Sequence, residues 1–240
     1  LYGAIRPFNL LSLHWGGKGA MGTLYEADTC QSFTFHQGQP LYCALYVNEL
    51  LAHLVKEHDP HDGLFEVYCD TLAELSGLPE RMKASLAEPE GKSASLRQYG
   101  WVLRRFELRL LELLGYGIDL EHDTQSGVAI SADKQYLFHL EKGVTEIGAS
   151  VEGASVEGGG AARGGKTVAS QTVVFETDAS ISDVFEGSGY AISGRALQAL
   201  TMALQSESVE VFNEAKGLMR FVLDYYLDGR KIRSRELFKK

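Results

Sequence analysis

"NLLSLHWGGKGAMGTLYEADTCQSFTFH", residues 9–36, is the stretch on which the fold class turns. Its centre, Gly17-Lys18-Gly19-Ala20-Met21-Gly22, fits G-x-G-x-x-G. That pattern cradles a dinucleotide pyrophosphate only when a strand precedes it and a helix follows. Here the following residues, "TLYEADTCQSFTF", are rich in Thr, Tyr and Phe, which favour strands. An apolar run, a glycine cluster and a second strand-like run predict a hairpin with a glycine-rich turn. A strand after Gly22 removes a nucleotide-dependent oxidoreductase from consideration.

From Pro40 the apolar period lengthens. "LYCALYVNELLAHLVKE" (41–57) carries Leu41, Leu45, Leu51 and Val55 near helical spacing, with Val47, Leu50 and Leu54 filling the face. "LFEVYCDTLAEL" (64–75) predicts a second helix stopped by Gly77 and Pro79, followed by a polar link. A longer helix is expected over 93–117, with a stripe of Leu103, Phe106, Leu110, Leu113 and Leu114 and a glycine end at Gly115 or Gly117. "VAIS" and "QYLFHLE", joined by Ala132-Asp133-Lys134, predict a hairpin, and "TVVFE" one more strand. Between them lies "GASVEGASVEGGGAARGGKTVAS", too poor in large apolar residues to offset its ordering entropy; it is expected to be a mobile insertion. Two helices close the chain, the first N-capped by Ser193.

The composition, 45% hydrophobic and 23% charged, is that of an ordinary globular protein, and no apolar run is long enough for a membrane span. Three scattered cysteines, Cys30, Cys43 and Cys69, do not form a disulfide framework, so a reducing cytoplasm is expected. The charge is uneven. The chain carries −9, yet "DGRKIRSRELFKK" (228–240) carries +4, which leaves −13 on residues 1–227. Alone, that tail reads as a solvated, frayed terminus. A local basic patch can still hold nucleic acid at short range, because salt screens fields beyond about 10 Å.

Catalytic patterns are absent: there is no G-x-x-x-x-G-K-[ST] and no G-x-S-x-G. His53, His58 and His61 lie in or beside a polar helix break without a cysteine pair, so no metal is assigned. Cys43 and Cys69 sit in helical apolar patterns and are expected to be inert buried thiols. No enzyme activity and no cofactor are expected. Arg97, Arg104 and Arg105, beside Leu103 and Phe106, would line the rim of an apolar groove suited to an acidic, hydrophobic peptide.

"LYVNELL", "LRRFELRLLELLGYG", "SGRALQAL" and "AKGLMRFVLDYYLDGRKIRSRELF" follow one another with spacings that resemble the bacterial recombination mediator family RecO, from about Leu1 to Phe238. The resemblance implies an α+β chain: a partial N-terminal OB-fold barrel over 1–38, then a mainly helical domain over 39–240 with a small β excursion and flexible insertion at about 122–190. Roughly the first fifty residues of a typical member have no counterpart here. Some members hold zinc in the excursion through four cysteines. This chain has none between His122 and Gly189, which argues against zinc.

Members of the family bind single- and double-stranded DNA, anneal complementary strands, bind RecR and the acidic C-terminal tail of single-stranded DNA-binding protein (SSB), and so help load RecA. On this resemblance Arg6, Lys18, Arg230, Lys231, Arg233 and Arg235 are expected DNA contacts, with Phe8, His14 and Trp15 as stacking platforms. Arg97, Leu103, Arg104, Arg105 and Phe106 are the expected SSB-tail contacts. A cytoplasmic, nucleoid-associated location follows. The alternative is an adaptor that binds acidic peptides and never DNA.

Overall fold

The computed structural model describes residues 4–18, 21–35, 37–82, 89–148, 189–202 and 208–239. The glycine- and serine-rich insertion and "TVVFE" lie outside these residues. The described chain is α+β and forms two compact units, Leu1–Phe106 with Ile232–Lys240, and Glu107–Lys231.

In the first unit, β1 (Asn9–Gly16) and β2 (Thr23–Ser32) pair antiparallel, with Leu13 opposite Ala27 and Gly16 opposite Thr23. Strand, not helix, follows Gly22, so the glycine pattern is a hairpin turn and the dinucleotide reading is excluded. The base of the hairpin is anchored by apolar packing: Phe33 clusters with Ala44 and Leu72, and Phe8, Phe35, Tyr68 and Cys69 pack against them.

Helix α1 (Gln39–Leu54) has Pro40 in its first turn, where a fixed φ and a missing N–H are tolerated. Its core face is Cys43, Ala44, Tyr46, Val47 and Leu50. The expected stripe is rotated: Leu41, Leu45 and Leu51 are only half-buried. Helix α2 (Leu64–Met82) runs through Gly77 and Pro79 instead of stopping before them. The ring of Pro79 removes one helical hydrogen bond, near the helix end where few remain to be broken. Burial of Leu72, Leu75 and Leu78 on one face offsets that loss.

Helix α3 (Pro89–Leu113) ends as its glycines predict. Gly115 takes φ +81°, Tyr116 N–H donates to the Leu111 carbonyl at 2.8 Å, and Gly115 N–H to that of Glu112 at 3.0 Å, which is a Schellman cap.

In the second unit, β3 (Gln135–His139) is the centre of a three-stranded antiparallel sheet between β4 (Gly143–Glu146) and β5 (Tyr190–Ser193). This corrects the expected hairpin of "VAIS" with "QYLFHLE": Tyr136 lies opposite Glu146 and Ile192. Asp123 is the reason. Its buried carboxylate accepts the N–H groups of Gln125 (2.9 Å) and Ser126 (2.7 Å) and bends the chain back. Asp123 N–H then reaches the Val128 carbonyl and Ile130 N–H the Glu121 carbonyl, so 128–130 pairs with 121–123. The other carboxylate oxygen takes Glu146 N–H at 2.6 Å, which ties the turn to β4.

Helix α4 (Gly194–Thr201) is N-capped by Ser193, whose hydroxyl accepts Ala196 N–H at 3.3 Å and donates to Glu214. Helix α5 (Val209–Tyr226) is N-capped in the same way by Ser208. Gly217 on α5 lies so close to the Tyr190 hydroxyl that any Cβ there would collide with it.

Asp123 gives a pH prediction. Burial alone would raise its carboxyl, but the N–H donors outweigh burial and hold it below the ordinary value. A carboxyl depressed below its unfolded value, about 3.9, contributes stability that is complete above that pH and lost as pH falls through the folded value. In urea unfolding followed by circular dichroism, Asp123→Ala should cost about 1–3 kcal/mol near neutral pH. The gap from the parent should narrow below about pH 4. A gap that does not change with pH would show that the charge is not what holds the turn.

Candidate functional site

The hairpin presents rings to solvent. Trp15 is 67% exposed and Tyr25 57%, with Leu13 and Met21 also exposed. The turn glycines make this possible. A Cβ at Gly22 would sit 2.8 Å from the Trp15 ring, and one at Gly16 would sit 3.2 Å from the Tyr25 ring. Glycine lets both rings lie against the backbone. His14 meets Tyr25 edge-on, centroids 5.7 Å apart. Lys18, in the turn, and Arg6, before β1, are exposed. Of the expected stacking residues, His14 and Trp15 face solvent. Phe8 does not: it packs edge-on to Phe35 at 4.9 Å in the apolar cluster, and its carbonyl accepts Phe33 N–H. Tyr25 was missed by sequence reasoning. The register irregularity between His14 and Trp15, opposite which Tyr25 falls, has no composition signal.

The C-terminal segment is not frayed. Arg233–Lys239 forms a 3-10 helix against α1. The carboxylate of Glu49 accepts Arg233 N–H at 2.7 Å, Ser234 N–H at 2.8 Å and the Ser234 hydroxyl at 2.6 Å. Burial opposes ionisation of Glu49, but these donors win and hold its carboxyl below the usual range, with His53 nearby adding to the effect. Ile232 is buried, and Phe238 meets Tyr42 and Tyr46 edge-on. This anchoring turns the Arg233 side chain to solvent and leaves Arg235 half-buried.

In the second unit, Lys231 is exposed, whereas Arg230 caps α5: its Nε donates to the Leu227 carbonyl at 2.9 Å. A cation there complements the helix dipole. The expected DNA residues therefore fall before and within the hairpin (Arg6, Lys18), at the end of α5 (Arg230, Lys231) and on the terminal segment (Arg233, Arg235).

The expected peptide groove is placed differently. Leu103 is buried, Phe106 is 2% exposed and Arg104 7% exposed, so these three offer no open slot and no rim. Arg104 lies near Cys43, whose thiol burial pushes up to about 12; that thiol is inert. Arg105 pairs with Glu74 of α2, and Arg97 is half-buried.

Comparison with known proteins accords with these elements. The family description "Recombination protein O C terminal" matches residues 36–87. DNA repair protein RecO of Dechloromonas aromatica is 30% identical over 237 residues, 99% of this chain and 76% of that protein. RecO of Azoarcus sp. is 31% identical over 99% of this chain and 76% of its own length. RecO of Aliivibrio fischeri is 31% identical over 99% and 77%. The α+β chain thus falls among the DNA repair and recombination proteins. It belongs to the RecO family. No described helix is long and apolar enough to cross a membrane.

Glu49→Ala should release the terminal segment. Loss of about 2 kcal/mol of net hydrogen bonding to a charged acceptor would raise local opening by roughly 30-fold. Limited trypsinolysis should then cut at Arg233 and Arg235 far sooner than in the parent while the helical core persists. Equal cleavage rates would show that the apolar contacts of Ile232 and Phe238 hold the segment alone.

Proposed function

We propose that this chain is a non-enzymatic recombination mediator of the cytoplasm. It binds single- and double-stranded DNA without sequence preference, anneals complementary strands, and with RecR helps RecA load onto SSB-coated single strands. The observation that carries the DNA reading is the exposed Trp15 ring on a hairpin whose turn holds the exposed Lys18, with Tyr25 exposed on the other face of the ribbon. Exposed rings stack on any base and a nearby ammonium holds a phosphate, so such a surface is indifferent to sequence. Lys231 and Arg233 extend phosphate contact to the terminal segment.

The adaptor alternative is less well supported, since Leu103 and Phe106 are core residues. In this reading the SSB tail is still a partner. The cation that meets its carboxylate is then Arg97, whose planar fork accommodates two parallel bonds.

Fluorescence anisotropy with a labelled single-stranded oligonucleotide tests the reading. Affinity should fall steeply with salt, and Lys231→Glu with Arg233→Glu should flatten the log–log slope by about 0.7 per lost phosphate contact. Trp15→Ala should weaken binding by about fivefold or more, the range of one lost base stack. A salt-independent or undetectable interaction would leave the peptide adaptor as the function.

A further inference from the structure

Aromatic residues also gather in the second unit, where none was expected to bind. Tyr116 follows the Schellman cap of α3 and is 42% exposed. Its ring stacks on Tyr226, at the end of α5, with centroids 4.4 Å apart and planes 24° from parallel. Tyr225 meets Tyr226 edge-on at 5.2 Å and braces it from the side. One ring follows the capped end of α3, and the other belongs to the last turn of α5. The same turn continues into two cations. Arg230 Nη2 lies 3.5 Å from the Tyr226 carbonyl, and Lys231 beside it is exposed.

We propose that the Tyr116–Tyr226 stack is a second single-strand contact, in which an unpaired base extends the stack on the exposed face of Tyr116 and a neighbouring phosphate meets Lys231. The proposal rests on the single-strand binding argued above. A near-parallel ring pair offers a third planar group a flat face at little entropic cost, because the protein rings are already ordered. Any base has such a face, which keeps the contact independent of sequence. A peptide ring gains less here, because it seeks a concave apolar slot and Tyr116 is 42% exposed. The Tyr226 phenol is a neutral donor near neutral pH. Burial, with Tyr225 and Tyr116 close by, pushes the Tyr226 hydroxyl further up.

The test uses the full chain with two labelled strands of equal length, oligo-thymidine and an abasic strand that keeps the phosphates and lacks bases. Tyr116→Ala should bind oligo-thymidine about fivefold or more weakly than the parent, and Tyr116→Phe within about twofold of it. All three should bind the abasic strand alike. If Tyr116→Ala matches the parent on oligo-thymidine while the parent binds well, the stack is not a contact, although the DNA reading stands. Equal losses on both strands would make Tyr116 structural only. A variant that loses affinity for an acidic, Phe-ending peptide but not for DNA would assign the surface to peptide instead. No binding of either strand by the parent would overturn the DNA reading itself. Photocrosslinking of the parent to a 5-bromouracil strand needs no variant: an adduct on Tyr116 or Tyr226 is expected, and adducts confined to other residues would overturn the proposal.

Discussion

One carboxylate brings the end of the chain back to its beginning. Glu49, on the first helix, accepts three hydrogen bonds from residues 184 and 185 positions further on. Two of the donors are consecutive backbone N–H groups at the start of a 3-10 helix, where such groups lack partners of their own and an anion is favoured. Hydrogen bonds to an ionised acceptor are stronger and more directional than apolar contact, so Glu49 sets the register. Ile232 and Phe238 then pack where that register puts them. With the backbone fixed, the Arg233 side chain has only solvent to enter. A basic tail becomes a presented surface rather than a tether.

The hairpin shows the same economy at a different scale. Its glycine cluster resembles a phosphate cradle in sequence, yet its glycines serve ring packing. Gly22 lies under Trp15 and Gly16 under Tyr25. A phosphate cradle needs backbone N–H groups converging at a helix N-terminus, and a strand follows here. Removing Cβ atoms lets two large rings lie along a two-stranded ribbon and remain in water.

Period and punctuation made most of the helices legible. Pro40 at a first turn, Ser193 as an N-cap and Gly115 as a left-handed terminus each act through their own backbone chemistry, and each lies where that chemistry predicts. Failures came where a side chain or the tertiary context overrode the local signal. Pro79 did not stop α2, because the leucine face around it is buried. "VAIS" did not pair with β3, because the Asp123 carboxylate captured the intervening N–H groups. The peptide groove was drawn from neighbours in sequence. Burial depends on rotation about the helix axis, and it put Leu103, Arg104 and Phe106 in the core. The Tyr116–Tyr226 pair joins residues 110 positions apart, and no local pattern announces it.

Charge is the property for which a whole-chain count misleads most. The sequence carries −9, which taken alone predicts repulsion of nucleic acid. Many described cations, however, are matched locally: Arg105 with Glu74, Arg109 with Glu112, Lys134 with Glu146, Arg195 with Asp133 and Arg220 with Asp224. Arg230 is committed to the end of a helix. Such pairs add little field beyond their own contact distance. Lys18, Lys231 and Arg233 are exposed and make no ion pair among the described residues. At physiological salt the field of the acidic body decays over about 8 Å, so a phosphate at any of these three responds chiefly to the cation beside it. Two of the three follow rings closely in sequence, Lys18 three residues after Trp15 and Lys231 five after Tyr226. On the proposed DNA reading, ammonium and ring would divide the work: the cation would draw in any strand and the ring would distinguish unpaired bases from paired ones, since only an unpaired base can leave its own stack for another.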